Sequence, residues 1–160
     1  MSTIVYRDGI LAADTRAFSG SKAPIGNKRK IFKVRLSDGS YTSFGVSTAH
    51  PGLSEEIRDW FASEKVHDAE PVLAGREFDA LEITSGGEVF FYKDSFAPTG
   101  PLDADYYAIG SGAEYALGAF SMGADALTAI QIAGEHDVWT GGSVQRILTG
   151  PEDETPKKST

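Results

Sequence analysis

The sequence predicts an α+β fold in which one antiparallel sheet packs on another and helices cover the outer faces. Three observations predict it. Short β-rich runs separated by glycine turns fill most of the first half, and a single amphipathic helical segment interrupts them. In the second half two small-residue helices stand between one strand and a last strand, so strands flank a block of helices at both ends.

Thr3–Tyr6 is a short β-rich run, Asp8-Gly9 is a hairpin turn signal, and Ile10–Phe18 continues as the second strand. Arg29–Leu36 is the next strand, and Asp38-Gly39-Ser40 turns it into Tyr41–Val46. Leu53, Ile57, Trp60 and Phe61 recur at helical spacing, which predicts an amphipathic helix over Gly52–Glu64 with Pro51 near its start. A polar connection, Lys65–Glu77, leads to a hairpin of Phe78–Thr84 and Glu88–Tyr92 about the Ser85-Gly86-Gly87 turn. Tyr106–Ile109 is a short strand. Ser111 and Glu114 have the capping-box spacing and open a helix to about Met122, where Gly123 breaks it. Ala124–Glu135 is a second helix with Asp125 near its start, and Thr140-Gly141-Gly142 turns into the last strand, Ser143–Leu148. Residues 2–149 therefore read as one domain and 150–160 as a mobile, charged tail.

Composition narrows the function classes. The 160 residues carry a net charge of −8 with no dominant basic patch, which argues against binding a phosphate backbone. No apolar run reaches the roughly 18 residues of a membrane span, and no basic region followed by an apolar stretch marks a secretory signal. Without cysteine there is no disulfide, thiol nucleophile or thiolate metal site, and a cytoplasmic protein is expected. His50, His67 and His136 are scattered without ligand-like spacing, and no phosphate-binding GxxxxGK[ST] loop is present.

Three residues carry candidate chemistry. Ser2 follows the initiator methionine, and its small side chain is the context in which Met1 is normally removed. Serine with a free α-amine holds its own general base beside its hydroxyl, because an α-amine has an ordinary pKa of about 7.7–8.0. Strand periodicity places Lys30 on the face of Phe32, Val34 and Leu36, and Asp14 on the face of Ile10 and Ala12. Each ends an apolar face with a charge. They are either an ion pair that sets the field around a nucleophile or two unrelated strand-end charges.

Several blocks of the chain occur in the order and spacing of a known family. They are Ser2-Thr3-Ile4-Val5 with Asp8–Ala17, then Gly26–Ile31, Ala108–Gly112, Ile132–Gly134 and Asp137–Gly142. In these blocks the chain resembles the β-type proteasome subunits, most closely the short bacterial HslV-like (ClpQ-type) peptidases of the Ntn-hydrolase superfamily. The resemblance implies a four-layer αββα sandwich and a peptidase. It places Ser2 at the nucleophile position, usually threonine in the family, and Asp14 and Lys30 on the family's active-site Asp and Lys. It makes Ser111 the serine that hydrogen-bonds the terminal amine, with Asp137 and Thr140 completing that network. The backbone N–H near Ser47 is the implied oxyanion donor. No cofactor is required, though the carbonyls of Gly134, Asp137 and Thr140 match positions that bind a structural Na+ or Mg2+.

The chain departs from the family at three positions: Ser47 stands for a glycine, His50 for a frequent Asp and Phe18 for a frequent Thr. The absence of a propeptide beyond Met1 is expected of the HslV-like branch. Implied partners are copies of the same chain in stacked six- or sevenfold rings, an ATP-dependent unfoldase, and protein or peptide substrates. Neither nucleic acid nor a membrane is among them. The rival readings are an inactive scaffold subunit of the same fold and an Ntn-type amidase for small substrates.

Overall fold

The computed structural model describes residues 1–20 and 23–151, so all but the first two residues of the expected tail lie outside it. Four strands, β1 (Thr3–Arg7), β2 (Ile10–Asp14), β10 (Tyr106–Gly110) and β11 (Val144–Leu148), form one antiparallel sheet in the order β10-β1-β2-β11. Five more, β5 (Ile31–Arg35), β6 (Tyr41–Ser47), β7 (Asp79–Thr84), β8 (Val89–Lys93) and β9 (Thr99–Leu102), form a second in chain order. A small ribbon of β3 (Arg16–Phe18) and β4 (Pro24–Asn27) stands beside them.

Alternation along β1 and β2 builds the layers. Ile4, Leu11 and Ala13 face Ile31, Leu81 and Ile83 of the second sheet. Val5 and Ala12 face the opposite way, against helices α2 (Ala113–Ser121) and α3 (Ala126–His136). Phe44 and Val46 of β6 turn outward to meet Leu53, Ile57 and Phe61 of helix α1 (Leu53–Ala62). Helix, sheet, sheet, helix is the resulting order, the four-layer sandwich expected from the resemblance. Phe44 stacks on Phe61 with ring centroids 4.1 Å apart and is fully buried, so its truncation to alanine costs about 3–5 kcal/mol. Gly45 lies at a close approach of the two sheets: a Cβ there would sit 2.7 Å from Ile4 Cγ2.

A buried polar cluster ties Lys65, just beyond α1, to the second sheet. Glu82 on β7 is 2% exposed and accepts from Thr42 Oγ1, Tyr92 Oη and Lys65 Nζ. Burial and the Glu82 carboxylate push the Tyr92 phenol well above its ordinary pKa, so it acts as a fixed donor.

Differences from the sequence reading have local causes. The expected strand Ile10–Phe18 breaks at Thr15, because Thr15 N–H and Arg16 N–H both donate to the Gly141 carbonyl and turn the chain out of the sheet. β4 and β9 were not expected. Each carries a proline (Pro24, Pro101), and each lies at an edge, where a missing N–H breaks no ladder on the open side. Ser111 does not cap α2. Gly112 occupies that position without a side-chain cap, and the Ser111 hydroxyl goes to another partner. Asp125 does cap α3, accepting from Thr128 N–H at 2.8 Å.

Candidate active site

Ser2 enters β1 at the end of the first sheet and is 2% exposed. The β1–β10 register places Thr3 opposite Gly110, so the Gly110-Ser111-Gly112 turn lies directly on Ser2 and Thr3. That approach requires glycine. A Cβ on Gly110, which has φ of +96°, would sit 2.0 Å from the Ser2 carbonyl oxygen, and one on Gly112 would sit 2.0 Å from Thr3 Oγ1.

Lys30 and Asp14 form a buried ion pair in front of this turn. Lys30 Nζ donates to both Asp14 oxygens at 3.0 Å, with side chains 4% and 1% exposed. Asp14 also accepts from Thr3 N–H and Gly141 N–H, each at 3.0 Å. Four donors thus hold one carboxylate, which offsets much of the cost of burying two charges. Burial lowers the Lys30 pKa below its ordinary value, and Asp14 opposes that shift. Of the two readings open from strand periodicity, the paired one is found. The alternation itself does not extend to Lys30, which precedes β5, so its side chain is free to turn toward Asp14 in the other sheet.

Behind the turn runs a second network. Ser111 Oγ and Thr140 Oγ1 both donate to Asp137 Oδ2 at 2.6 Å. With its proton committed, Thr140 Oγ1 accepts from Thr3 Oγ1 at 2.7 Å. Ser111 Oγ and Gly112 N–H also lie at 3.4 and 3.5 Å from the Ser2 carbonyl. Asp137 is at this junction because it ends α3, and Thr140 because its N–H closes a turn on the Asp137 carbonyl. Ser2, Asp14, Lys30, Ser111, Asp137 and Thr140 therefore lie together, with Ser111 against the Ser2 carbonyl and not against the terminal amine that the resemblance implied.

Ser47 is the exception. It pairs with Asp79 across β6 and β7, while Val46 N–H donates to the Lys30 carbonyl at 3.2 Å on the other side. Successive peptide groups of a strand point to alternate neighbours. Ser47 therefore turns its N–H into the β6–β7 ladder, and Thr48 lies just beyond the end of β6. The Thr48 carbonyl accepts the Met1 ammonium at 2.6 Å.

Met1 and Ser2 line a cleft between the β3–β4 ribbon and the start of α1, with Phe18, Lys28, Lys30 and Ser54 on its walls. Phe18 is held edge-on against Trp139 at 5.0 Å. The Met1 α-amine has its pKa lowered from 8.0 to about 6, first by burial and then by the Lys30 charge. An α-amine at this point is neutral near pH 7 and able to accept a proton.

Thr3 and Gly141 are site residues that the sequence reading did not single out. Thr3 carried a signal: it is a polar residue on the Val5 face of β1, which packs against the helices and is otherwise apolar. Gly141 acts through its backbone and carried none. Gly134 and Thr140 share the wall of a small cavity, but the Asp137 carbonyl accepts from Thr140 N–H at 3.1 Å. Asp137 is not among the residues that line that cavity. Among the described residues no cluster of three or more His, Cys, Asp or Glu side chains has metal-site geometry.

Solved structures share this architecture. BPH from Thiobacillus denitrificans, in complex with epoxomicin, superposes with a TM-score of 0.66 at 22% identity, covering 95% of this chain and 99% of that chain. HslV from Trypanosoma brucei gives 0.60 at 16% identity, covering 91% of this chain and 97% of the other. The fold is that of the proteasome-type Ntn-hydrolases. A Gly-1 mutant of Anbu from Hyphomicrobium sp. strain MC1 has the same fold, with a TM-score of 0.65 at 13% identity, covering 92% of this chain and 81% of that one. No family model matches the sequence, and no curated protein matches it. In this Ntn-hydrolase fold the first residues of β1, the ends of β2 and β6 and the turn before α2 meet at one point, and Ser2 stands there. No helix among the described residues is long and apolar enough to cross a membrane.

Proposed function

We propose that the chain is an N-terminal-nucleophile endopeptidase, with Ser2 attacking peptide bonds after Met1 is removed. The observation that carries this reading is the convergence of two separate buried networks, Lys30–Asp14 and Ser111–Asp137–Thr140–Thr3, on the backbone of residues 2 and 3. Neither would be needed to hold a strand end.

The Ser2 hydroxyl attacks the substrate carbonyl, and its proton passes to the α-amine of the same residue. Lys30 keeps that amine neutral and favours the developing negative charge, while Asp14 fixes the ammonium in place. Ser111, held by Asp137, positions the amine. Thr48 N–H, in place of the expected Ser47 N–H, is the backbone donor for the oxyanion. The amine returns the proton to the leaving group, and water releases the acyl-enzyme. Met1 blocks this, because it turns the Ser2 nitrogen into a peptide nitrogen. Serine lacks the methyl that fixes the rotamer of threonine, so turnover is slow.

The step needs no cofactor. A Na+ or Mg2+ ion at the carbonyls of Gly134 and Thr140 would act only by stiffening the turn that carries Thr140. By analogy with its structural neighbours, the chain works as a ring of identical cytoplasmic subunits that cut peptides or proteins inside a chamber. An ATP-dependent unfoldase would supply the substrates.

Intact mass before and after treatment with an epoxyketone or vinyl-sulfone peptide tests the reading. Loss of Met1 and a single adduct, absent from Ser2→Ala, are expected. A chain that keeps Met1 and takes no adduct would leave the inactive-scaffold alternative.

A further inference from the structure

The cleft has a charge that the rest of the molecule does not. The chain carries −8 overall, yet the cleft-lining residues include Arg16, Lys28 and Lys30 and no Asp or Glu. Lys30 is committed to Asp14. Lys28 is only partly committed: its ammonium donates to Ser54 Oγ and Glu55 Oε1, each at 2.8 Å, and a third N–H remains on a side chain 34% exposed. Arg16 lies half-buried against Gly141, where a Cβ would meet its Cζ at 2.3 Å. Among the described residues its guanidinium has no hydrogen-bond or ion-pair partner. A guanidinium offers five donors in a planar fork that matches a carboxylate. Lys30 and Lys28 lower the pKa of the Met1 amine while Asp14 and Asp137 raise it, so both lysines are felt at the floor of the cleft.

We propose that Lys28 and Arg16 make the Ser2 cleft selective for a peptide segment with an acidic side chain, Glu or Asp, beside the bond to be cut. This rests on the hydrolase reading for the cutting, but not for the binding. A basic side chain at the same place is excluded by like charge, and a neutral one leaves Arg16 without an anion.

The test separates the two. Fluorescein-labelled Ala-rich hexapeptides that differ only in a central Glu, Gln or Lys are titrated against the full-length Ser2→Ala chain, with affinity read by anisotropy. The Glu peptide is expected to bind about tenfold more tightly than the Gln peptide. The Lys peptide is expected to be weakest, and the differences should shrink as salt is raised. In Lys28→Gln combined with Arg16→Gln the preference should vanish, while Lys28→Arg should retain it. Equal affinity for Glu and Gln peptides, or a Glu preference that survives the double substitution, would overturn the inference. If the double variant fails to fold, the comparison on the unsubstituted cleft decides alone. Kinetics of the unsubstituted enzyme on the same peptides then assign the failure. Cleavage regardless of charge sinks only the selectivity, whereas selective binding with neither cleavage nor an inhibitor adduct sinks only the hydrolase.

Discussion

Replacing Asp14 by Asn separates an organising ion pair from an incidental one. The carboxylate accepts four hydrogen bonds, two from Lys30 Nζ and one each from Thr3 N–H and Gly141 N–H, all at 3.0 Å. Each oxygen receives one of the two backbone donors, so either orientation of an Asn amide sets its NH2 against a backbone N–H. The substitution also leaves the Lys30 ammonium, 4% exposed, with no counter-charge in contact. Removing one partner of such a pair costs about 3–5 kcal/mol. For a chain of this length each kcal/mol moves Tm by about 2–4 °C, so a fall of about 6–20 °C is expected.

Lys30→Met should be milder, about 2–3 kcal/mol, because the carboxylate it strands keeps the Thr3 and Gly141 N–H groups. Thermal unfolding of both variants by circular dichroism, at one fixed protein concentration, gives the order. If Lys30→Met proved the more damaging, or Asp14→Asn cost under about 1 kcal/mol, the four-donor account of Asp14 would be wrong. Both variants should lose the inhibitor adduct whatever their stability, since each removes the fixed cation beside Ser2.

Three more outcomes are expected. Gly110→Ala should cost more than about 2 kcal/mol and abolish labelling of Ser2, because the new Cβ would lie 2.0 Å from the Ser2 carbonyl at a φ of +96°; a labelled, stable Gly110→Ala chain would contradict the packing of that turn. Thr140→Val strips the Asp137 carboxylate of one hydroxyl and Thr3 Oγ1 of its acceptor, so about 1–2 kcal/mol and most of the labelling rate should go; unchanged labelling would remove Thr140 from the site. The Met1-bearing chain should gain stability as pH rises from about 6 to 8.0, since over that window the unfolded α-amine binds a proton that the folded one does not. The gain, about 1–2 kcal/mol after allowance for solvent, should be missing from an N-terminally acetylated chain, and a gain shared by both would assign it elsewhere.

Much of the fold was legible because it rests on local rules. Period-two runs in β1, β6, β7 and β8, the helical spacing of Leu53, Ile57, Trp60 and Phe61, and glycine turns such as Asp8-Gly9 need no distant partner to be read. The edge strands β4 and β9 were not legible: they are short and proline-containing, and are strands only because a neighbour supplies the ladder. The break at Thr15 was hidden for a related reason, since its cause, the Gly141 carbonyl, is far away in the chain.

The same division runs through the candidate site. The sequence by itself determined which chemistry is available: a serine able to become an N-terminus, no cysteine, and one charge at the end of each of two apolar strands. Matching blocks supplied the rest of the set, Ser111, Asp137 and Thr140. Only the tertiary structure decided the partners. Asp14 ends a strand of one sheet and Lys30 leads into a strand of the other, and whether they meet depends on how those sheets stack. Ser111 was readable as a helix cap from its spacing to Glu114, but the end of α3 brings Asp137 within 2.6 Å, and a carboxylate outcompetes the cap position for its hydroxyl. Ser47 and Thr48 are neighbours that the sequence cannot tell apart as donors. Pairing with β7 commits the Ser47 N–H to the sheet, because the direction of a peptide group is set by the strand beside it and not by its own side chain.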